Sequence, residues 1–187
     1  MQQTLLALCA VLIFSIYALN STRDEAATEM RSVSAGADEA AASVARARLA
    51  VVERLAFDEL DVGRIAAGGS RGIRTTPTNS VIGPDDLGEV DMATFDDLDD
   101  LHGFTETRAV EAGTVRTDAG ASGMLEFALV YRVRYVNPAA PAAAAASPTL
   151  AKEIHIEVRE VGARGRAAAR FDLRRVYTPA GMASYVR

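Results

Sequence analysis

The chain has 187 residues, 20 Lys+Arg against 25 Asp+Glu, a formal net charge of −5 and 49% hydrophobic residues with no Trp. The length allows one domain plus a tail, and the acidic balance excludes a nucleic-acid binder that works by phosphate neutralisation, so no nucleic-acid partner is expected. A single cysteine, Cys9, excludes an internal disulfide and a CxxC metal site.

The first element is apolar. Thr4 to Leu19 carries Leu5, Leu6, Leu8, Val11, Leu12, Ile13, Phe14, Ile16, Tyr17 and Leu19, with no Lys or Arg in front of it. At 1.5 Å rise per residue this makes a helix of roughly 24 Å. With its uncharged flanks it is adequate to span a bilayer core. A cleavable signal would show a basic leader and a small-residue cleavage site, so the segment is expected to be retained. Leu6-Ala7-Leu8-Cys9 has Leu rather than a small residue before Cys9, and the apolar run continues beyond it. Lipidation is therefore not expected.

The helix is expected to continue as an amphipathic segment over 23–62. Between Ser21 and Phe57 there is no Pro and one Gly, Gly36, which marks a local bend, and Ala dominates. Met30, Val33, Ala37, Ala41, Val44, Ala45, Leu49, Val52, Leu55 and Ala56 recur at helical spacing and form one stripe. Arg46, Arg48, Glu53, Arg54 and Asp58 fall largely off that stripe. Val62-Gly63 is a natural stop, which predicts one helix of about 55 residues, far longer than the globular average.

Residues 63–187 read as a β-rich head. Gly68-Gly69-Ser70, Gly72 and Thr75-Thr76-Pro77 are loop chemistry. An acidic stretch follows, from Asp85 to Glu106, with Asp96, Asp97, Asp99 and Asp100 at its centre and no Lys or Arg inside it. Its plain reading is a solvated turn with some Asp capping a short helix. It lacks the spacing and Gly of an EF-hand loop, and no metal ligands are assigned. EFALVYRVRYV, Glu126 to Val136, alternates with a period of two. Phe127, Leu129, Tyr131, Val133 and Tyr135 share one face, and Arg132 and Arg134 the other. The Pro- and Ala-rich run from Pro138 to Pro148 reads as an exposed loop. Lys152 to Val158 alternates again, with Ile154, Ile156 and Val158 inward and His155 outward. Lys152 is the only Lys in the chain. A Gly/Arg turn, Gly162 to Gly165, precedes a last strand over Arg170 to Tyr177. These strands predict an antiparallel meander covered by the helix, an α+β fold.

No HExxH or phosphate-cradling Gly loop occurs; Gly68-Gly69-Ser70-Arg71-Gly72 is Gly-rich but has no Lys-Ser/Thr ending. No catalytic residue, cofactor or enzyme activity is expected. The C-terminal region is basic, through Arg159, Arg164, Arg166, Arg170, Arg174, Arg175 and Arg187. The acidic loop with Asp96, Asp97, Asp99 and Asp100, set against Arg164, Arg166, Arg170, Arg174 and Arg175, is a candidate for charge-complementary contacts between neighbouring heads.

The order of an unbroken apolar helix, an amphipathic continuation, an Asp-rich loop and then strands resembles the type IV pilin-like family of pilins, minor pilins and pseudopilins. TFDDLDDLHGFTET, Thr94 to Thr107, is similar to that family's DD-x-DD-x-HG stretch. LAKEIHIEV, Leu150 to Val158, and RFDLRRVYT, Arg170 to Thr178, are similar to its later strands. The resemblance is a divergent one. It has Leu5 where the family carries Glu within the apolar segment, and Asn20-Ser21-Thr22 where it carries a helix-breaking Pro. The resemblance implies a structural subunit of an extracellular helical filament at the cell surface. It would be held in the inner membrane before assembly and would then pack against copies of itself, other pilins and the assembly machinery through Leu5 to Leu19. A pseudopilin-like part of a secretion or DNA-uptake apparatus and a single-pass membrane-anchored periplasmic module are the alternatives.

Overall fold

The computed structural model describes residues 2–58, 82–84, 88–111, 124–163 and 166–178. The expected stop at Val62-Gly63, the Gly68–Gly72 and Thr75–Pro77 loops, Asp85, Asp86, Arg164 and Arg187 lie outside them.

One helix, α1 (Gln2–Val52, 51 residues), is followed by β1 (Thr105–Glu111), β2 (Met124–Asn137), β3 (Ala140–Ala144), β4 (Lys152–Val161) and β5 (Arg170–Tyr177). The strands form one antiparallel sheet in the order β1-β2-β4-β5, with β3 paired to the end of β2. The fold is α+β: a long N-terminal helix on a small meander.

The helix is about 75 Å long at its rise per residue. It ends earlier than its spacing predicts. Arg54 and Leu55 turn back three residues, to Val51 and Val52, which tightens the last turn. The Ala56 amide then donates to the Asp96 carbonyl at 2.8 Å and not to its own helix. Ala56 pairs with Asp97 as an isolated parallel bridge. A partner distant in sequence takes the donor that the next helical turn needs, so residues 53–58 leave the helix and join the Asp-rich loop.

The stripe on the second half of α1 is buried from Ala37 onward. Ala37, Ala41, Val44, Ala45 and Val52 enter the core, Val33 and Leu49 pack at its margin, and Met30 stays half exposed. Small residues let the helix lie close to the sheet. The opposing face comes from the alternation: Phe127, Leu129, Tyr131 and Val133 of β2 stand beside Ile154, Ile156 and Val158 of β4. Phe95, Leu98 and Leu101 of the Asp-rich loop close the same core, with the Phe95 and Phe104 rings edge to face at 5.0 Å.

Two elements depart from expectation. The 138–148 run is no loop throughout, because Ala140–Ala144 forms β3 on β2. Pro138 and Pro141 are incompatible with a helix continuing through them, while Asn137 Oδ1 accepts the Ala139 amide at 2.9 Å and turns the chain back. β1 begins at the end of the acidic stretch and runs on through Thr107–Glu111, for which no element is expected, and it has no clean alternation; its pairing with β2 from Thr105↔Val130 to Glu111↔Met124 makes it a strand. Gly162, at φ +75°, opens the β4–β5 connection in the left-handed region that glycine adopts freely.

Candidate functional site

Two features stand out from an ordinary α+β head. The first is the apolar end of α1. Leu5 lies in the helix, and Leu6, Leu8, Val11, Leu12, Ile13, Phe14, Ile16, Tyr17 and Leu19 are each more than half exposed. The helix is long and apolar enough to cross a membrane, and none of its most apolar window is buried in the head. Scattered surface Leu or Phe needs no explanation, but a contiguous apolar patch marks a contact with protein or lipid. Cys9 is exposed on the same stretch.

The second feature is a buried charged cluster, and it corrects the reading of the Asp-rich loop as a solvated turn. Asp97, Asp99 and Asp100 are almost wholly buried, as is Asp58 from the segment after the helix; Asp96 is half-buried. The loop is tied by its own carboxylates. Asp97 Oδ1 accepts the Asp99 amide at 2.6 Å, and Asp100 Oδ2 accepts the Asp96 amide at 3.2 Å. Such side-chain-to-backbone bonds are the usual work of Asp in turns.

Lys152, the first residue of β4, fills the middle of this cluster and is fully buried. Its Nζ donates to Asp99 Oδ2 at 2.6 Å and to the Phe57 carbonyl at 2.6 Å, and lies 3.9 Å from Asp58 Oδ2. The Phe57 and Tyr135 rings flank it, with centroids at 4.6 and 5.5 Å. One ammonium therefore joins the end of the helix, the Asp-rich loop and the sheet. It cannot neutralise four neighbouring carboxylates. Burial raises Asp97 to about 7; Lys152 pulls it back down, and the Asp99 and Asp100 charges push it up. Asp100 is raised to about 6 by burial, against the Asp97 and Asp96 amides that lower it and with Glu89 and Asp96 adding to the rise. Glu89, Asp96 and Asp100 bring one carboxylate oxygen each within 4.8 Å of one another. Clustered carboxylates do not by themselves make a cation site, and no metal is assigned.

The head also closes many of its other charges on itself. Arg48, expected off the buried stripe, reaches Glu106 of β1, which also accepts from Arg108 and, at 2.6 Å, from the Tyr131 hydroxyl. Of the arginines proposed for contacts between heads, Arg166 pairs with Glu160, Arg175 with Glu53, and Arg170 with Glu157 and Asp172. Arg174 stands exposed on β5 opposite His155. His155 does face outward, against Asp172 at 2.9 Å. The acidic loop and the basic C-terminal region are thus not two free faces: the four Asp are mostly internal, and three of the Arg have partners in their own subunit. Sequence reading missed the cluster around Lys152. The one available signal was that the sole Lys opens a strand whose other inward positions are apolar.

No family model, no curated protein and no solved structure matches this chain.

Proposed function

We propose that this chain is a structural subunit of a type IV pilus-like extracellular helical filament, held in the membrane by the apolar half of α1 and assembled through that same half. One observation carries the reading: an unbroken helix packs its second half on the head and leaves Leu6 to Leu19 uncovered. Burying each such side chain stabilises by about 1.5–3 kcal/mol, so the segment requires lipid or other apolar helices around it. Copies joined head to tail by one repeated contact build an open helical polymer.

A single-pass membrane-anchored module is the second reading. It is favoured by the pairing of Arg166, Arg170 and Arg175 within the subunit, which leaves fewer charges for contacts between heads. Electron microscopy of material sheared from the cell surface, with mass spectrometry of the same sample, separates the two. Fibres composed mainly of this chain are expected. A chain recovered only in the membrane fraction, without fibres, rejects the filament and leaves the anchor.

A further inference from the structure

Of the 20 Lys and Arg residues in the chain, all are Arg except Lys152, and Lys152 is fully buried. Arg keeps its charge under all conditions and grips a carboxylate with two parallel bonds. For a purely structural buried ion pair it is the stronger choice. Lys differs in one chemical respect: it can surrender a proton and become a nucleophilic amine.

We propose that Lys152 Nζ and the Asp99 carboxyl condense into an intramolecular amide, a covalent strap between β4 and the Asp-rich loop. The reacting groups are already in contact at 2.6 Å, with side chains 0% and 3% exposed. Orientation is fixed from three sides, by the Phe57 carbonyl and by the Phe57 and Tyr135 rings. Holding two reactants in this way replaces a bimolecular encounter with a step whose effective molarity reaches about 10⁵–10⁸ M. Attack requires the neutral amine, which the proton transfer described next supplies.

The protons have a route. Asp58 Oδ2, almost wholly buried and 3.9 Å from Nζ, takes a proton from the ammonium and returns it to the departing oxygen. The lone pair on Nζ attacks Asp99 Cγ, the Nζ–Cγ bond forms, and one Cγ–O bond breaks. Of the three ammonium hydrogens one stays on the amide nitrogen, and two leave with an Asp99 oxygen as water. Nothing is oxidised or reduced, and net charge is unchanged. Asp97 shares the site as a second buried carboxyl, held toward its protonated form. The proposal is independent of the filament reading, since it concerns only the interior of one head.

The test is peptide-level mass spectrometry of the full-length protein extracted in detergent and digested with trypsin after denaturation. The expected product is a branched peptide joining the Lys152 and Asp99 segments, lighter than the sum of its parts by one water, with cleavage after Lys152 blocked. Asp99→Asn is expected to give the same branched product with loss of ammonia instead of water, and Asp99→Ala none. Asp58→Asn is expected to keep the fold, checked by circular dichroism, while leaving Lys152 open to trypsin. Complete cleavage after Lys152 in the unaltered protein, with no branched peptide, overturns the proposal. A branch to Asp58 rather than Asp99 overturns the assignment of the acceptor.

Discussion

Asp97 and Asp100 cap one another. Asp97 Oδ1 accepts the Asp100 amide at 3.4 Å, and Asp100 Oδ2 accepts the Asp97 amide at 3.3 Å. The pair closes the turn of the Asp-rich loop with its own carboxylates, and this reciprocal arrangement accompanies the burial of both carboxyls. It also sets how the head responds to acid.

Asp97 and Asp100 rise from an ordinary 3.8 to about 7 and about 6 on folding. The folded chain therefore binds more protons than the unfolded chain between those values, and stability falls as pH increases there. Their contribution is fully present below 3.8 and lost as pH passes through 6 to 7. Glu157 and Asp172 act the other way. Burial alone would raise both, but Arg170 with Arg159 and Arg132 lowers Glu157, and His155 with Arg170 lowers Asp172. Their contribution is lost on acidification below the ordinary carboxylate range. Thermal unfolding of the detergent-extracted protein should show a maximum on the acid side of neutrality and a decline toward pH 8. Asp97→Asn, which keeps the Oδ1 acceptor, should flatten that decline. A midpoint that rises steadily from pH 5 to pH 8 contradicts this account.

Removing Lys152 should be the most damaging change in the cluster. Lys152→Met fills similar volume but leaves Asp99 and Asp58 buried with no ammonium beside them. Breaking a buried pair from one side costs about 3–5 kcal/mol. Measured against protein in which the Lys152–Asp99 amide has not formed, denaturant unfolding at pH 7 should show that loss. Part of it should return at pH 5, because Asp97, which Lys152 otherwise pulls down from its burial-raised value, takes up a proton there. A variant equally destabilised at both pH values would indicate lost packing rather than lost charge.

The helix is moored by Arg48. Its guanidinium, 15% exposed, meets Glu106, which is also bound by Arg108 and Tyr131. Arg48→Ala should reduce stability by roughly 1–3 kcal/mol, the range for leaving a buried charged partner short of a bond. Tyr131→Phe should cost less, since it removes one donor and leaves both guanidinium groups in place. Hydrogen exchange in the 37–52 part of α1 should rise in Arg48→Ala and not in Arg46→Ala, whose side chain lies on the exposed face.

Charge within the apolar stretch should abolish membrane retention while sparing the head. Leu12 and Ile16 are more than half exposed and lie one helical turn apart. Acidic residues near the centre of a spanning helix are unfavourable by about 2.5–3.5 kcal/mol each on an insertion scale. The double substitution Leu12→Glu and Ile16→Glu should move the chain from the carbonate-resistant membrane fraction to the soluble fraction, with the strand content of its circular dichroism spectrum unchanged. Continued membrane retention would show that another segment holds it.

Local pattern alone carried much of the fold. A run of apolar residues from Leu5 to Leu19 forms a helix with no partner in the head, because its composition leaves no polar face. The alternation of Phe127, Leu129, Tyr131 and Val133, and of Ile154, Ile156 and Val158, determined which face of the sheet is buried, since neighbouring side chains on a strand point in opposite directions. The stripe at Ala37, Ala41, Val44 and Ala45 determined how the helix lies on it. Tertiary structure decided what periodicity cannot encode. The helix ends at Val52 because Asp96 captures the Ala56 amide. β1 is a strand because β2 offers it an edge, and β3 because Asn137 turns the chain back. Asp97, Asp99 and Asp100, which read as part of a solvated turn, are internal where a single lysine, distant in sequence, stands among them. Charge in a sequence reads as solvent exposure unless a partner is known, and that partner is brought close only by folding.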